Sequence, residues 1–80
     1  MVAVNLWSSL ARLTDGARVV EVEAATAGEA LDALLRAHPA LAPILSAGVT
    51  LVVDGEMTTD RTTPLAPGSE VYLMQPMRGG

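Results

Sequence analysis

Only one stretch of this 80-residue chain can form a long amphipathic helix, Thr26 to His38, and that limits the fold more than any other feature. Thr26-Ala27-Gly28-Glu29 is a capping box, in which a threonine hydroxyl takes an amide of the first turn and Glu29 reaches back. Leu31, Leu34, Leu35 and His38 then recur at i, i+3, i+4 and i+7, one face of a 3.6-residue period. Pro39 ends the helix at about His38, because the residue before a proline is pushed out of helical geometry. His38 is the only histidine. At a helix C-terminus an imidazole caps carbonyls or meets the helix dipole, so it is read as structural rather than catalytic. A lone helix with a single apolar stripe needs a sheet to bury that stripe against. The length allows one domain. A domain this small buries only about 60–65% of its unfolded-chain surface. Half the residues are hydrophobic, with no Phe, one Trp and one Tyr, so the core must be aliphatic.

The rest of the sequence supplies the strands. Val2 to Trp7 alternates, with Val2, Val4 and Leu6 on one face. Leu10 and Leu13, at spacing three, suggest a short helical turn over Ser8 to Leu13, and Thr14-Asp15-Gly16 breaks the chain. Ala17 to Glu23 reads as a second strand with Val20 and Val22 inward and Glu21 and Glu23 outward, antiparallel to the first. After Pro39, Leu41, Ile44 and Leu45 form a short helical turn closing one end of the core. Val49 to Val53 is continuously apolar and is expected to be the central strand. Asp54-Gly55 is a turn signal, and Met57 to Thr59 a short edge strand. Leu65 anchors the polar loop from Asp60 to Ala66, and Pro67-Gly68 suits the centre of a type II turn. Glu70 to Met74 is the last strand.

This order gives an α+β fold, a β-grasp roll with a mixed sheet of four to five strands and one main helix across one face. The helix covers that face through Leu31, Leu34 and Leu35, and the other face stays partly open. With Val49, Leu51, Val53, Val71 and Leu73 turned to the helix, Val52, Tyr72 and Met74 turn to solvent. These three are a candidate partner-docking patch. Past the last strand, Pro76 ends the hydrogen-bond ladder, and the sequence runs on as Met77-Arg78-Gly79-Gly80. Residues 1–76 are therefore expected to form the domain and 77–80 a flexible diglycine tail. Extended, the tail reaches roughly 13 Å beyond the body. Its reactive group is the Gly80 carboxylate.

Composition removes several classes of function. The net charge is −4 with no basic cluster, which argues against nucleic acid or anionic membrane and favours a basic protein surface as partner. No apolar run approaches a membrane span, and no charged-then-apolar leader opens the sequence, so the expected location is the cytoplasm. There is no Cys, hence no disulfide, thiolate metal site or thiol nucleophile. There is also no Lys, so copies cannot be joined through lysine isopeptide bonds, and Arg supplies all the positive charge.

In sequence order, these pieces resemble the β-grasp sulfur carriers related to ubiquitin, which include the small subunit of molybdopterin synthase (MoaD-like) and the thiamine sulfur carrier (ThiS-like). Leu6 to Leu13 with Gly16 is similar to the family's first strand and turn. Thr26-Ala27-Gly28-Glu29-Ala30-Leu31 through His38-Pro39-Ala40-Leu41 is similar to its helix and the pause after it. Pro64-Leu65-Ala66-Pro67-Gly68-Ser69-Glu70-Val71 is similar to its approach to the last strand, with Ser69 in place of the usual Asp. Gly79-Gly80 is its chemical signature. The resemblance implies a co-substrate rather than an enzyme, with no bound cofactor and no metal. A MoeB/ThiF-like adenylyltransferase would consume ATP and Mg to adenylate Gly80. A sulfur donor of cysteine desulfurase or rhodanese type would then convert it to a thiocarboxylate. The acceptor would be a synthase such as a molybdopterin synthase large subunit or thiazole synthase. The pathway stays open among molybdopterin, thiamine and a specialised sulfur-containing metabolite. Glycines 79 and 80 would let the backbone thread a narrow channel, Arg78 could pair with an acidic rim or a phosphate, and Met77 and Pro76 would position the tail. The alternative is a ubiquitin-like modifier joined through Gly80 to lysines of other proteins.

Overall fold

The computed structural model describes residues 1–74; Pro76, the 77–80 tail and the domain boundary expected at 76 lie outside the described residues or at their edge. Five short strands form one mixed sheet: β1 (Val2–Asn5), β2 (Val19–Val22), β3 (Thr50–Val53), β4 (Glu56–Thr58) and β5 (Glu70–Met74). Their spatial order is β2-β1-β5-β3-β4. β1 and β2 pair antiparallel, as expected, with Val2 opposite Val22 and Val4 opposite Val20. β5 lies parallel to β1 (Val4 opposite Val71) and antiparallel to β3 (Val53 opposite Val71). The central strand is therefore β5, and the continuously apolar β3 is one place from the edge. Asn5 reinforces the parallel seam, its side-chain amide donating to the Val71 carbonyl at 3.1 Å.

Period-2 alternation decides which side chains enter the core. Val2, Val4, Val22, Leu51, Val53, Val71 and Leu73 are buried on the helix side of the sheet. The main helix, α1 (Ala27–Ala37), lies over them, followed by a 3₁₀ turn (Pro39–Leu41) and a second short helix, α2 (Ala42–Ser46). Leu41 from the 3₁₀ turn and Leu10 from the earlier 3₁₀ segment (Ser8–Leu13), two segments that touch each other, are both buried in the core. Leu13, which the spacing pairs with Leu10, is exposed.

The buried stripe of α1 differs from the expected leucine row. It consists of Ala27, Ala30 and Leu34, whereas Leu31 is half-buried and Leu35 lies at the margin of a shallow groove shared with Leu45 and Arg61. Small side chains at the N-terminal end of α1 let its backbone sit close to the sheet. His38 is the C-cap, and the capping bond is its backbone N–H donated to the Leu34 carbonyl at 2.9 Å.

The capping box is formed with one change. Thr26 Oγ1 accepts the Glu29 N–H at 3.2 Å, but Glu29 Oε1 accepts the Ala25 N–H, at 2.9 Å. The loop before β5 supplies the remaining partners: the Ala27 N–H goes to the Thr63 carbonyl at 2.9 Å and the Gly28 N–H to the Arg61 carbonyl at 2.8 Å. All three amides of the first turn are thus satisfied within the chain. Arg61 then folds over the helix, making a forked pair with Asp32 at 3.0 and 3.1 Å. Gly28 is the residue that permits this approach, since a Cβ there would stand 3.0 Å from Arg61 Cβ and 3.1 Å from the Arg61 carbonyl oxygen.

The turns follow their sequence signals. Asp54 (φ 48°) and Gly55 (φ 90°) make the two-residue link between β3 and β4, the left-handed pair that a tight hairpin needs. The Ser69 N–H bonds the Ala66 carbonyl at 3.0 Å around Pro67 and Gly68 (φ 84°), as a type II turn requires.

Two stability measurements check this packing. In urea unfolding, Leu34→Ala should cost about 2–5 kcal/mol, and Leu35→Ala less than half as much. Gly28→Ala, which helix propensity alone would make stabilising by roughly 1 kcal/mol, should fail to raise the midpoint because of its contacts with Arg61.

Candidate functional site

The side of the sheet away from α1 exposes several large apolar side chains among the described residues. Because paired residues share a face, the register lines up a row across all five strands: Val19, Asn5, Tyr72, Val52 and Met57. Met74, opposite Thr50, stands one step further along β5. Val19 is 51% exposed, Met57 72%, Tyr72 43% and Met74 44%, and Val52 is half-buried between its neighbours. The three residues expected at this patch, Val52, Tyr72 and Met74, do sit together on the open face. Sequence reading missed Val19 and Met57. Their signal was present in the strand pairing, since Val52 faces Met57 and Tyr72 lies between Asn5 and Val52, but pairing partners are not visible until the register is known.

On the same face an acidic edge lies toward the start of β5. Ala3 stands between Glu21 on β2 and Glu70 on β5. The Tyr72 hydroxyl donates to Glu70 Oε2 at 3.2 Å, and this bond and the Glu70 charge push the phenol pKa above its ordinary value. Tyr72 thus presents a ring whose hydroxyl is tethered to Glu70.

The entry to β5 is fixed by Asp54. Its Oδ1 accepts the Glu70 N–H at 2.9 Å and its Oδ2 accepts the Ser69 hydroxyl at 2.9 Å, while its own N–H goes to the Glu70 carbonyl at 3.0 Å. Ser69 Oγ in turn accepts the Ala66 N–H at 2.9 Å and is buried. The Glu70 amide, followed by the Ser69 hydroxyl, holds the Asp54 carboxyl below its ordinary pKa. Serine at 69 thus supplies a hydroxyl that both donates and accepts.

Among the described residues no group of three or more His, Cys, Asp or Glu could hold a metal ion. Among the described residues no helix is long and apolar enough to cross a membrane. Among the described residues the surface depressions are shallow, and one is lined by Met1, Val2, Glu23, Ala24, Ala25, Glu29, Leu65 and Pro67, without a nucleophile. The remaining expected site residues, Gly80, Gly79, Arg78, Met77 and Pro76, lie outside the described residues. The arrangement defines a class: a small β-grasp protein with an open apolar sheet face and a C-terminal segment continuing from its central strand.

Comparison with known proteins places the chain within that class. The ThiS family model matches residues 4–80, and the chain belongs to the ThiS family. Its members are small carrier proteins that act as substrates or subunits of partner enzymes. The fold superposes on SAMP1 from Haloferax volcanii with a TM-score of 0.82 and 32% identity, covering 99% of this chain and 98% of that one. It is also similar to a chain of the BexX/CysO complex from Amycolatopsis orientalis (TM-score 0.81, 21% identity, 100% of both chains). A third match is to a chain in the complex of subunits 1 and 2 of the molybdopterin-converting factor from Helicobacter pylori (TM-score 0.70, 22% identity, 99% and 97% covered). No curated protein matches the chain.

The Asp54 contacts give a pH dependence. A carboxyl whose folded pKa is depressed adds stability that is present above its unfolded pKa and lost as pH falls through the folded one. The difference in melting temperature between wild type and Asp54→Asn should therefore be constant near neutrality and shrink below roughly pH 4. Thermal melts from pH 7 to 2.5 measure it.

Proposed function

We propose that the chain is a sulfur carrier whose Gly80 carboxylate is the working group. The reading is supported by the Gly79-Gly80 sequence following the central strand of a ThiS-family fold that offers no reactive side-chain cluster among its described residues. Residues 1–76 act as the recognition body and 77–80 as the tail. An α-carboxylate has a pKa near 3.3–3.7 and is a poor electrophile when ionised. A partner adenylating enzyme first joins it to the AMP portion of ATP, with release of pyrophosphate and Mg as the nucleotide's counter-ion. A sulfide then displaces AMP and leaves a thiocarboxylate directly. A persulfide sulfur instead displaces AMP to give an acyl disulfide, whose S–S bond a second thiol of the partner attacks, releasing the thiocarboxylate as the two partner thiols become a disulfide. The body contributes docking through Val52, Tyr72 and Met74 together with Val19 and Met57. Arg78, Met77 and Pro76 position the tail.

The occupant of the open face is the adenylating partner, because the strand that bears Tyr72 and Met74 is the one from which the tail departs. The acidic edge at Glu21 and Glu70 favours a partner with basic residues beside its apolar contact. The BexX/CysO and molybdopterin-converting-factor complexes support an acceptor that binds the carrier as a separate protein.

A second reading is favoured by SAMP1, a small archaeal modifier protein by name and 32% identical. In that reading the activated Gly80 passes to a lysine of another protein. Intact-mass analysis of protein isolated from its host separates the two. The carrier should be heavier by one sulfur-for-oxygen exchange, located by fragmentation at Gly80. Gly80 found only in isopeptide linkage to other proteins would establish the modifier instead. Removing Gly79 and Gly80 should abolish either modification while leaving the folded body intact by circular dichroism.

A further inference from the structure

The open face contains two methionine thioethers, one at the β4 end of the row and the other one step along β5 from its centre. Met57 is the cross-strand partner of Val52, which is itself the partner of Tyr72. Met74 follows Tyr72 two residues along β5, on the same face. At 72% and 44% exposed, both sulfurs belong to side chains open to solvent. The chain contains no cysteine, so no thiol competes for an oxidant. Exposed thioethers are then the most readily oxidised groups of this surface, and they lie where a partner needs apolar area.

We propose that Met57 and Met74 are oxidation sites that make the open sheet face a redox-sensitive docking surface. The oxidant is a hydroperoxide. A thioether lone pair attacks its distal oxygen, an S–O bond forms as the O–O bond breaks, and the departing oxygen takes a proton and leaves as water or an alcohol. Sulfur loses two electrons and the peroxide gains them. The product is a methionine sulfoxide, which is polar and accepts hydrogen bonds that an apolar partner surface does not supply. Burying it unsatisfied should weaken docking by roughly tenfold for each methionine. The fold itself is spared, because neither side chain enters the core on the helix side. A thiol-dependent methionine sulfoxide reductase reverses the change.

The consequence for docking rests on the sulfur-carrier reading; the chemistry does not. The full-length protein is treated with hydrogen peroxide and mapped by peptide mass, then assayed as substrate for its host's adenylating enzyme by ATP–pyrophosphate exchange. The expected result is one added oxygen at each of Met57 and Met74 and at least a tenfold rise in the carrier concentration giving half-maximal exchange, reversed by sulfoxide reductase. In a Met57→Leu/Met74→Leu protein the ratio of treated to untreated exchange should stay near one, whatever its starting rate. That comparison separates the face from Met77, whose oxidation would lower exchange in both proteins. Oxidation of both methionines with unchanged exchange overturns the proposal, as does an equal loss in the double variant. Absence of exchange before peroxide is added sinks the carrier reading itself. Binding of an apolar dye before and after peroxide then decides the surface change alone: undiminished binding overturns it, and loss of binding restored by the reductase supports it.

Discussion

The parallel pairing of β1 with β5 is the contact on which the rest of the structure depends. It joins the first strand of the chain to the last, and a parallel neighbour demands a crossover connection rather than a hairpin. α1 is the helical element of that crossover, which is why one helix suffices to cover the sheet. Once β5 is seated, β3 pairs with its other edge and β4 follows by a two-residue turn. β5 is thus hydrogen-bonded on both sides, and the Asp54 carboxylate and Ser69 hydroxyl fix its beginning. Such non-local pairing is slow to form, because loop closure precedes any reward from the contacts. In exchange, the strand that precedes residues 75–80 in the sequence is paired along both of its edges.

A sheet covered on one face only explains both what could be read from the sequence and what misled. The alternation in β1 and β5 reports that one face is buried, and it assigned Val2, Val4, Val71 and Leu73 to the core correctly. It says nothing about how many edges of a strand are paired. The unbroken apolar run of β3 looked central for that reason, yet its outward residue, Val52, belongs to the exposed row. The apparent mark of a doubly buried strand was in fact part of the open face. The central strand, β5, alternates because solvent still reaches Tyr72 and Met74.

The ends of α1 were legible and its buried face less so. Thr26, Glu29 and Pro39 act through local geometry, which spacing reveals. Ala27 and Ala30 are ambiguous in sequence, since alanine suits core and surface alike, and the leucine row, of which Leu34 is buried and Leu31 packs partly buried against the core, draws the eye away from them. The loop from Asp60 to Thr63 illustrates a different limit. Its backbone carbonyls satisfy the amides of Ala27 and Gly28, and a backbone acceptor has no sequence signature. Only Gly28 hinted at it, as a glycine placed inside a helix where propensity disfavours one. Asp60 is held below its ordinary pKa by the hydroxyl and amide of Thr62, a local turn that keeps this loop in shape.

In the proposed sulfur-carrier reading, labour is divided between a surface and a terminus, and the division works only if the two are rigidly related. Tyr72 and Met74 are two residues apart on one strand, a rise of about 7 Å. In that reading, docking of the open face would fix the position of Met74, the last described residue before 75–80. Had the patch lain on α2 or on the 58–66 loop, partner binding would not have defined the origin of the tail so closely. The same logic accounts for the lack of chemistry elsewhere on the described surface. With recognition on the open face and reactivity assigned to Gly80, any further nucleophile on the body could compete for an activated carboxylate. A chain without cysteine or lysine removes the two side chains best suited to do so.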